Sequence, residues 1–409
     1  MLLPATILVA APTPVDALVR QALEADPERQ AALAALAAER ESASVANASQ
    51  DPVLSLELGR KRFRDPSGAR ADEGQVWSAS LTRTFEWDDR LRLRRTLADS
   101  QVELARLGLA RLEQAVEARV HLLVFRLARA AQREAATGDI ATRCTELRQA
   151  LLARDPSGPA PLAELRAVEA AELVARSRAD EAALARRQAL AELNQIRGAP
   201  ADAPVDVAAP RLAFREPPAL AELTHAARQG NFAYRVRALE AEQLGIQSDL
   251  ARTDSAPGFT AGPYVSQDRV DGRETIIGLR LDLPLPTGAR SGAADRAAVE
   301  RRRQAAAAVS AAWRDVERDL AQAHLAYGAR LAQLRRQGAD AAERFAAAAR
   351  DAEQRYRDGA LTLPLYLETR SACLDAVDAA LALQEQAVEA GFRLRELSGL
   401  SFNPLEASR

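Results

Sequence analysis

The sequence predicts a mainly helical protein carrying a small transmembrane β part, and three observations lead there. Two very long stretches are dominated by Ala, Arg, Glu and Leu. Each is preceded by a pair of strand-like runs, and the whole arrangement occurs twice in 409 residues. Such self-similarity makes the unit helix, hairpin, very long helix, turn and return helix, in two copies. The composition agrees: 48% of residues are hydrophobic but only 4% aromatic. That is the balance of long side-by-side helices rather than of an enzyme core.

The first copy spans residues 15–198. A helix is expected over 15–50, where Leu18, Leu23, Leu33 and Leu36 recur at helical spacing, and Asp51-Pro52 ends it. A hairpin follows over 53–87. In its second half Trp77, Ala79, Leu81, Phe85 and Trp87 share one parity, and Ser78, Ser80, Thr82, Thr84 and Glu86 the other, which is the two-residue period of a strand with one apolar face. A long helix is expected over 88–153 and a return helix over 161–197. The Pro- and Ala-rich segment 199–218 links this copy to the second, 219–399. There the expected elements are a helix over 219–253, a hairpin over 259–285, a long helix over 289–358 and a return helix over 363–398, with a tail at 400–409. Ile277, Leu279, Leu281 and Leu283 alternate with Gly278, Arg280 and Asp282. A helix of 65–70 residues is roughly 100 Å long and needs neighbours, in other chains, to pack against.

Several function classes are excluded or disfavoured. The net charge of −2, with arginines interleaved among Asp and Glu, provides no basic face for nucleic acid. The two cysteines, Cys144 and Cys373, and the three histidines, His121, His225 and His324, lie far apart in sequence, so neither a metal site nor a cofactor is expected. No nucleophile–base pair or phosphate loop is visible, so the chain does not read as an enzyme. Residues 1–14 read as a signal-like segment without a basic start. No apolar run reaches the length of a transmembrane helix, so any membrane crossing must be a closed barrel. Four strands cannot close one alone; several copies can. Strands of about 10 residues suit that role.

The layout resembles the TolC-type outer-membrane efflux protein family, over nearly the whole chain. The resemblance is carried by the duplicated order of elements and by the strand entries at Asp51-Pro52 and Ala256-Pro257-Gly258. It also rests on the strand ending LRLDLPLPTGARSGA and, above all, on the turn YRDGALTLPLYLETRSACLDA, which fits a family pattern through Tyr356, Gly359 and Thr362. It implies a homotrimer, in which each protomer gives four strands to a twelve-stranded barrel in the outer membrane of a Gram-negative bacterium and long hairpins to a periplasmic tunnel. It implies no catalysis. Its partners would be outer-membrane lipid, a periplasmic adaptor and an inner-membrane pump of the RND type. The short chain and the GALTLPLYLETR turn resemble the heavy-metal (CzcC-like) branch, so heavy-metal cations are the expected cargo; drug efflux or type I secretion is the alternative within the family. A soluble periplasmic coiled-coil scaffold or adaptor is the alternative outside it, and it leaves unexplained why Trp77, Trp87 and Tyr264 stand near strand ends, where aromatic girdles belong.

By the same resemblance, Ser157, Gly158, Pro159 and Pro161 and, in the second copy, Gly359, Ala360, Leu361 and Thr362 match the periplasmic tips where the adaptor docks. Tyr356 and Glu164 match a closed-state latch and Glu368 one gate position. Leu361 stands where the family has an arginine and Leu365 where it has a second gate acid, which weakens both devices. Arg280 and Asp282 are assigned to the barrel lumen.

Overall fold

The computed structural model describes residues 13–64, 71–153, 159–206, 214–253, 258–269, 273–284, 288–338 and 340–400. In chain order the elements are α1 (Val15–Ala25), α2 (Pro27–Asn47), β1 (Val53–Arg64), β2 (Ala71–Phe85), α3 (Asp88–Leu152) and α4 (Pro159–Ile196). They continue with α5 (Leu220–Gly230), α6 (Phe232–Thr253), β3 (Phe259–Arg269), β4 (Glu274–Asp282), α7 (Gly288–Gln337), α8 (Ala341–Arg357) and α9 (Leu363–Ser398). The strands form one antiparallel sheet in the order β1-β2-β3-β4.

Three helices expected to be continuous are broken. Pro27 lacks an N–H and holds Asp26 extended (ψ 114°), which separates α1 from α2, and the Asp26 carboxylate accepts from Glu28 N at 2.9 Å. Asn231 separates α5 from α6, its side-chain amide donating to Leu397 O at 2.8 Å. Gly338, at φ +87°, ends α7, and α8 restarts after Asp340, so the expected helix over 289–358 is two. β4 stops at Asp282 rather than 285 because Pro284 has no N–H to extend the ladder. β2 begins at Ala71, where it pairs with Arg64 at the end of β1.

The chain falls into two compact units, each drawing segments from both sequence halves. One comprises Ala32–Leu109 and Ala233–Trp313 and contains the sheet. Below the sheet the Arg94 guanidinium ties the end of α2 down, donating to Ala46 O and Ala48 O at 3.0 and 3.1 Å and pairing with Glu86 at 2.9 Å. Tyr234 meets Trp313 edge to face at 5.0 Å.

The other unit comprises Met1–Ala31, Ala110–Phe232 and Arg314–Arg409. Its core includes Leu18, Ala22, Val120, Leu123, Val124, Leu127 and Leu193. The linker after α4 is fastened by buried polar groups. Asn194 Nδ2 donates to Ala201 O and Ala203 O, both at 2.9 Å, and Tyr327 OH donates to Arg215 O at 2.8 Å. Phe214 packs against Phe125, Val388 and Phe392.

His121 sits beside this cluster, its ring 5.6 Å from that of Phe392. Burial pushes its pKa below the ordinary 6.5, outweighing the nearby Glu117 carboxylate; Arg395 lowers it further. The folded state therefore takes up a proton at His121 at a lower pH than the unfolded chain, which does so below about pH 6.5. Its contribution to stability is complete above that pH and is lost as pH falls below it. Thermal midpoints from pH 7.5 to 5.5 should fall more steeply for the wild type than for His121→Phe; parallel slopes would refute the assignment.

Candidate functional site

The sheet separates its residues by parity. On one face the cross-strand rows are Leu58–Trp77–Gln267–Thr275, Leu56–Ala79–Val265–Ile277 and, toward the helices, Leu54–Leu81 with Pro263–Leu279, Ala261–Leu281 and Phe85–Phe259. On the outer strands these apolar side chains are bare, Leu58 being 88%, Ile277 80% and Leu279 84% exposed, while Trp77, Ala79 and Val265 on the inner strands are half-buried. At the helix end the face closes with aromatic rings, Phe85 stacked on Phe259 at 5.2 Å and Trp87 tilted against Phe259 at 5.8 Å. Toward its other end Trp77 Nε1 donates to Gln267 Oε1 at 3.2 Å, so a polar partner meets the indole where the apolar rows finish.

The opposite face is polar and internally bonded. Lys61 pairs with Asp268 at 2.6 Å, Ser78 Oγ donates to Glu57 at 3.2 Å, and Arg280 pairs with Asp282 at 3.1 Å. Tyr264 is also here, not in an aromatic girdle. It lies directly across from Gly278, and its ring covers that residue so closely that a Cβ there would come within 2.6 Å of it. Tyr264 has the parity of Ser266 and Asp268 and so lies on their face, near the middle of β3 rather than at its end. Among the described residues β1 and β4 each pair with a single neighbour, so both outer edges of the sheet carry unpaired backbone groups.

In the other unit α8 turns into α9. The Gly359 N–H donates to Tyr356 O at 3.0 Å and the Ala360 N–H to Arg355 O at 2.8 Å, the two-bond closure of a Schellman turn with Gly359 at φ +72°. Nothing lies within 4 Å of where a Gly359 Cβ would stand, so only the backbone angle demands glycine. Leu361 packs on the adjoining cluster, Thr362 precedes α9 in extended conformation, and Pro364 follows in its first turn. Between α3 and α4, Ser157 and Gly158 lie outside the described residues, Pro159 opens α4, and Pro161 falls in its first turn.

Tyr356 stacks on Tyr366 with ring centroids 4.8 Å apart, beside Val168, Ala352 and Leu363. Glu164 is exposed one turn before Val168, with no ion pair among the described residues, and Glu368 is likewise exposed on α9. Nearby lies a buried polar network that sequence reasoning missed. Arg370 donates to Tyr366 OH at 2.6 Å and to Ile140 O at 3.0 Å, tying α9 to α3. Buried Glu353 binds Arg357 at 2.6 Å and also Arg143, which reaches Asp139 at 2.9 Å. The available signal was the four-residue spacing Tyr366/Arg370 and Glu353/Arg357, which places each pair on one helix face. Cys144 and Cys373 are buried, unbridged thiols whose pKa values burial pushes up. Among the described residues no group of three His, Cys, Asp or Glu could hold a metal ion, and no helix is long and apolar enough to cross a membrane.

No family model and no curated protein sequence matches this chain. Solved structures do. A membrane protein from Pseudomonas aeruginosa is 18% identical with a TM-score of 0.76, covering 97% of this chain and 99% of that one. CusC, described in terms of folding and transmembrane channel formation, is 12% identical with a TM-score of 0.74 over 97% of this chain and 96% of its own. The outer membrane protein VceC of Vibrio cholerae is 16% identical with a TM-score of 0.72 over 94% and 96%. At these identities the likeness is one of fold. The chain has the mostly helical architecture with a four-stranded antiparallel sheet found in outer-membrane channels.

Proposed function

We propose that this protein is the outer-membrane channel of a tripartite efflux system in a Gram-negative bacterium. The observation that carries this reading is the sheet: an apolar face, widely exposed on its outer strands in one protomer, bounded by two unpaired edges. Three copies would satisfy those edges by closing a barrel of twelve strands, leaving no edge in the bilayer. The apolar rows would meet lipid, and Arg280 and Asp282 would face the lumen. The hairpin turns, opposite the helices, would then lie toward the cell exterior, and the helices would form a duct through the periplasm.

The turn around Gly359, Ala360, Leu361 and Thr362, with its counterpart at 157–161, would receive a periplasmic adaptor, which in turn engages an inner-membrane pump of the RND type. The compact, exposed α8–α9 turn supports this, since a small residue at a helix turn lets a partner's backbone approach closely. Heavy-metal cations are the cargo favoured by the sequence of this turn. Tyr356 and Glu164 would act at the latch and Glu368 at the gate.

Three exposed Glu368 side chains around a narrow pore would concentrate cations by Coulomb attraction. Purified protein in a planar bilayer should therefore conduct, and Glu368→Gln should lower its cation-over-anion selectivity. Tyr356→Phe combined with Glu164→Gln should raise the open fraction. A protein that gives no conductance would refute the channel reading, whereas conductance with unaltered selectivity would move the gate away from Glu368.

A further inference from the structure

On the bare face of the sheet, the row next to Leu58–Trp77–Gln267 and farther from the helices is Arg60–Gln75–Arg269, in direct cross-strand register. Arg273 immediately precedes Glu274, the partner of Asp268, and has the parity of Ile277 and Leu279, so it prolongs this row. Strands spaced about 4.8 Å apart place Arg60 and Arg269 roughly 10 Å from each other on one surface. All three arginines are exposed. Among the described residues none is paired with a carboxylate; Arg269 donates only to neutral Gln267 Oε1 at 3.2 Å. Among the described residues the one acid on this surface nearby, Glu73 in the following row, is already taken by Arg62. Lys61, on the opposite face at the same height, is by contrast neutralised by Asp268. Among the described residues three guanidinium groups without a carboxylate partner thus cap the apolar rows, while the polar side, with Glu57, Asp268, Glu274 and Asp282 against Lys61 and Arg280, carries an excess of acid.

We propose that the Arg60–Arg269–Arg273 row binds the phosphate groups of a phosphorylated glycolipid in the outer leaflet, whose acyl chains lie along Leu54, Leu56, Leu58, Ile277 and Leu279. The inference rests on the membrane orientation proposed above. A guanidinium fork matches a phosphate in both charge and geometry, and the site repeats in each copy. The continuity of the basic row with the apolar band selects a lipid over a free anion, because only a lipid uses both.

The test is native mass spectrometry of the full-length protein, purified in detergent and titrated with diphosphoryl lipid A, dephosphorylated lipid A or inorganic phosphate. Wild type should retain diphosphoryl lipid A in preference to the dephosphorylated form. Arg60→Gln, Arg269→Gln and Arg273→Gln should each weaken retention about fivefold, and the triple variant roughly a hundredfold. Lys61→Gln, on the other face, should retain the lipid like wild type. Equal retention by the triple variant, or a loss with Lys61→Gln as large as with the triple, would overturn the assignment. So would displacement of the lipid by millimolar inorganic phosphate, which would make the row a free-anion site. These outcomes are read on an assembled membrane particle, whereas a soluble monomer would refute the channel reading itself and this inference with it.

Discussion

Leu279→Arg is expected to cost about 2–4 kcal/mol per protomer if its row lies near the bilayer midplane, enough to remove most of the assembled particle. Leu279 is 84% exposed and belongs to the middle of the apolar rows, with Pro263 as its cross-strand partner. A guanidinium there would face hydrocarbon, and the acid described on its side of the sheet, Glu73, lies rows away and is paired with Arg62. The adjacent residue provides the control. Arg280 points to the polar face and pairs with Asp282, so Arg280→Leu should leave assembly intact. Both effects are read from the yield of detergent-extracted oligomer and its thermal midpoint. Labelling single-cysteine variants with a lipid-soluble reagent checks the facing independently: position 279 should react and position 280 should not. The reverse labelling pattern would turn the sheet inside out.

The second large effect is expected at the α8–α9 turn. Gly359→Trp should abolish export while leaving oligomer yield unchanged. The space around the Gly359 Cβ position is open, so an indole displaces nothing within the protomer. The left-handed backbone angle of +72° costs a non-glycine residue about 1 kcal/mol, too little to unfold the chain. What the indole would obstruct is the approach of another protein to the turn. Gly359→Asn tolerates the same backbone angle with a small side chain, so it should preserve most export. Full export by Gly359→Trp would exclude this turn as the docking surface.

Much of the fold was legible in the sequence because its signals are local. The Ala-, Leu- and Arg-rich periodicity of α3 needs no tertiary context, and the alternation through Ile277, Leu279 and Leu281 identifies a strand with one apolar face by itself. The helix breaks were less legible. Gly338 and Asn231 stand within strongly helical surroundings, and each break is fixed by something remote or conformational: an Asn231 bond to Leu397, a positive φ at Gly338. Pairing of β2 with β3 joins residues nearly two hundred positions apart, so the register that puts Tyr264 over Gly278 and aligns Arg60 with Arg269 could not be read in advance. Near the turn, the sequence directed attention to Tyr356, Glu164 and Glu368. The buried charges Arg370 and Glu353 looked like ordinary solvated helix residues until α3 was found packed against them.

The central claim, that three chains close one membrane barrel, is tested most directly by the mass of the native particle. Extracted from membranes in detergent, the protein should carry three times the 44.0 kDa chain mass and should precipitate when the detergent is withdrawn. A monodisperse 44.0 kDa monomer, soluble in plain buffer, would contradict it.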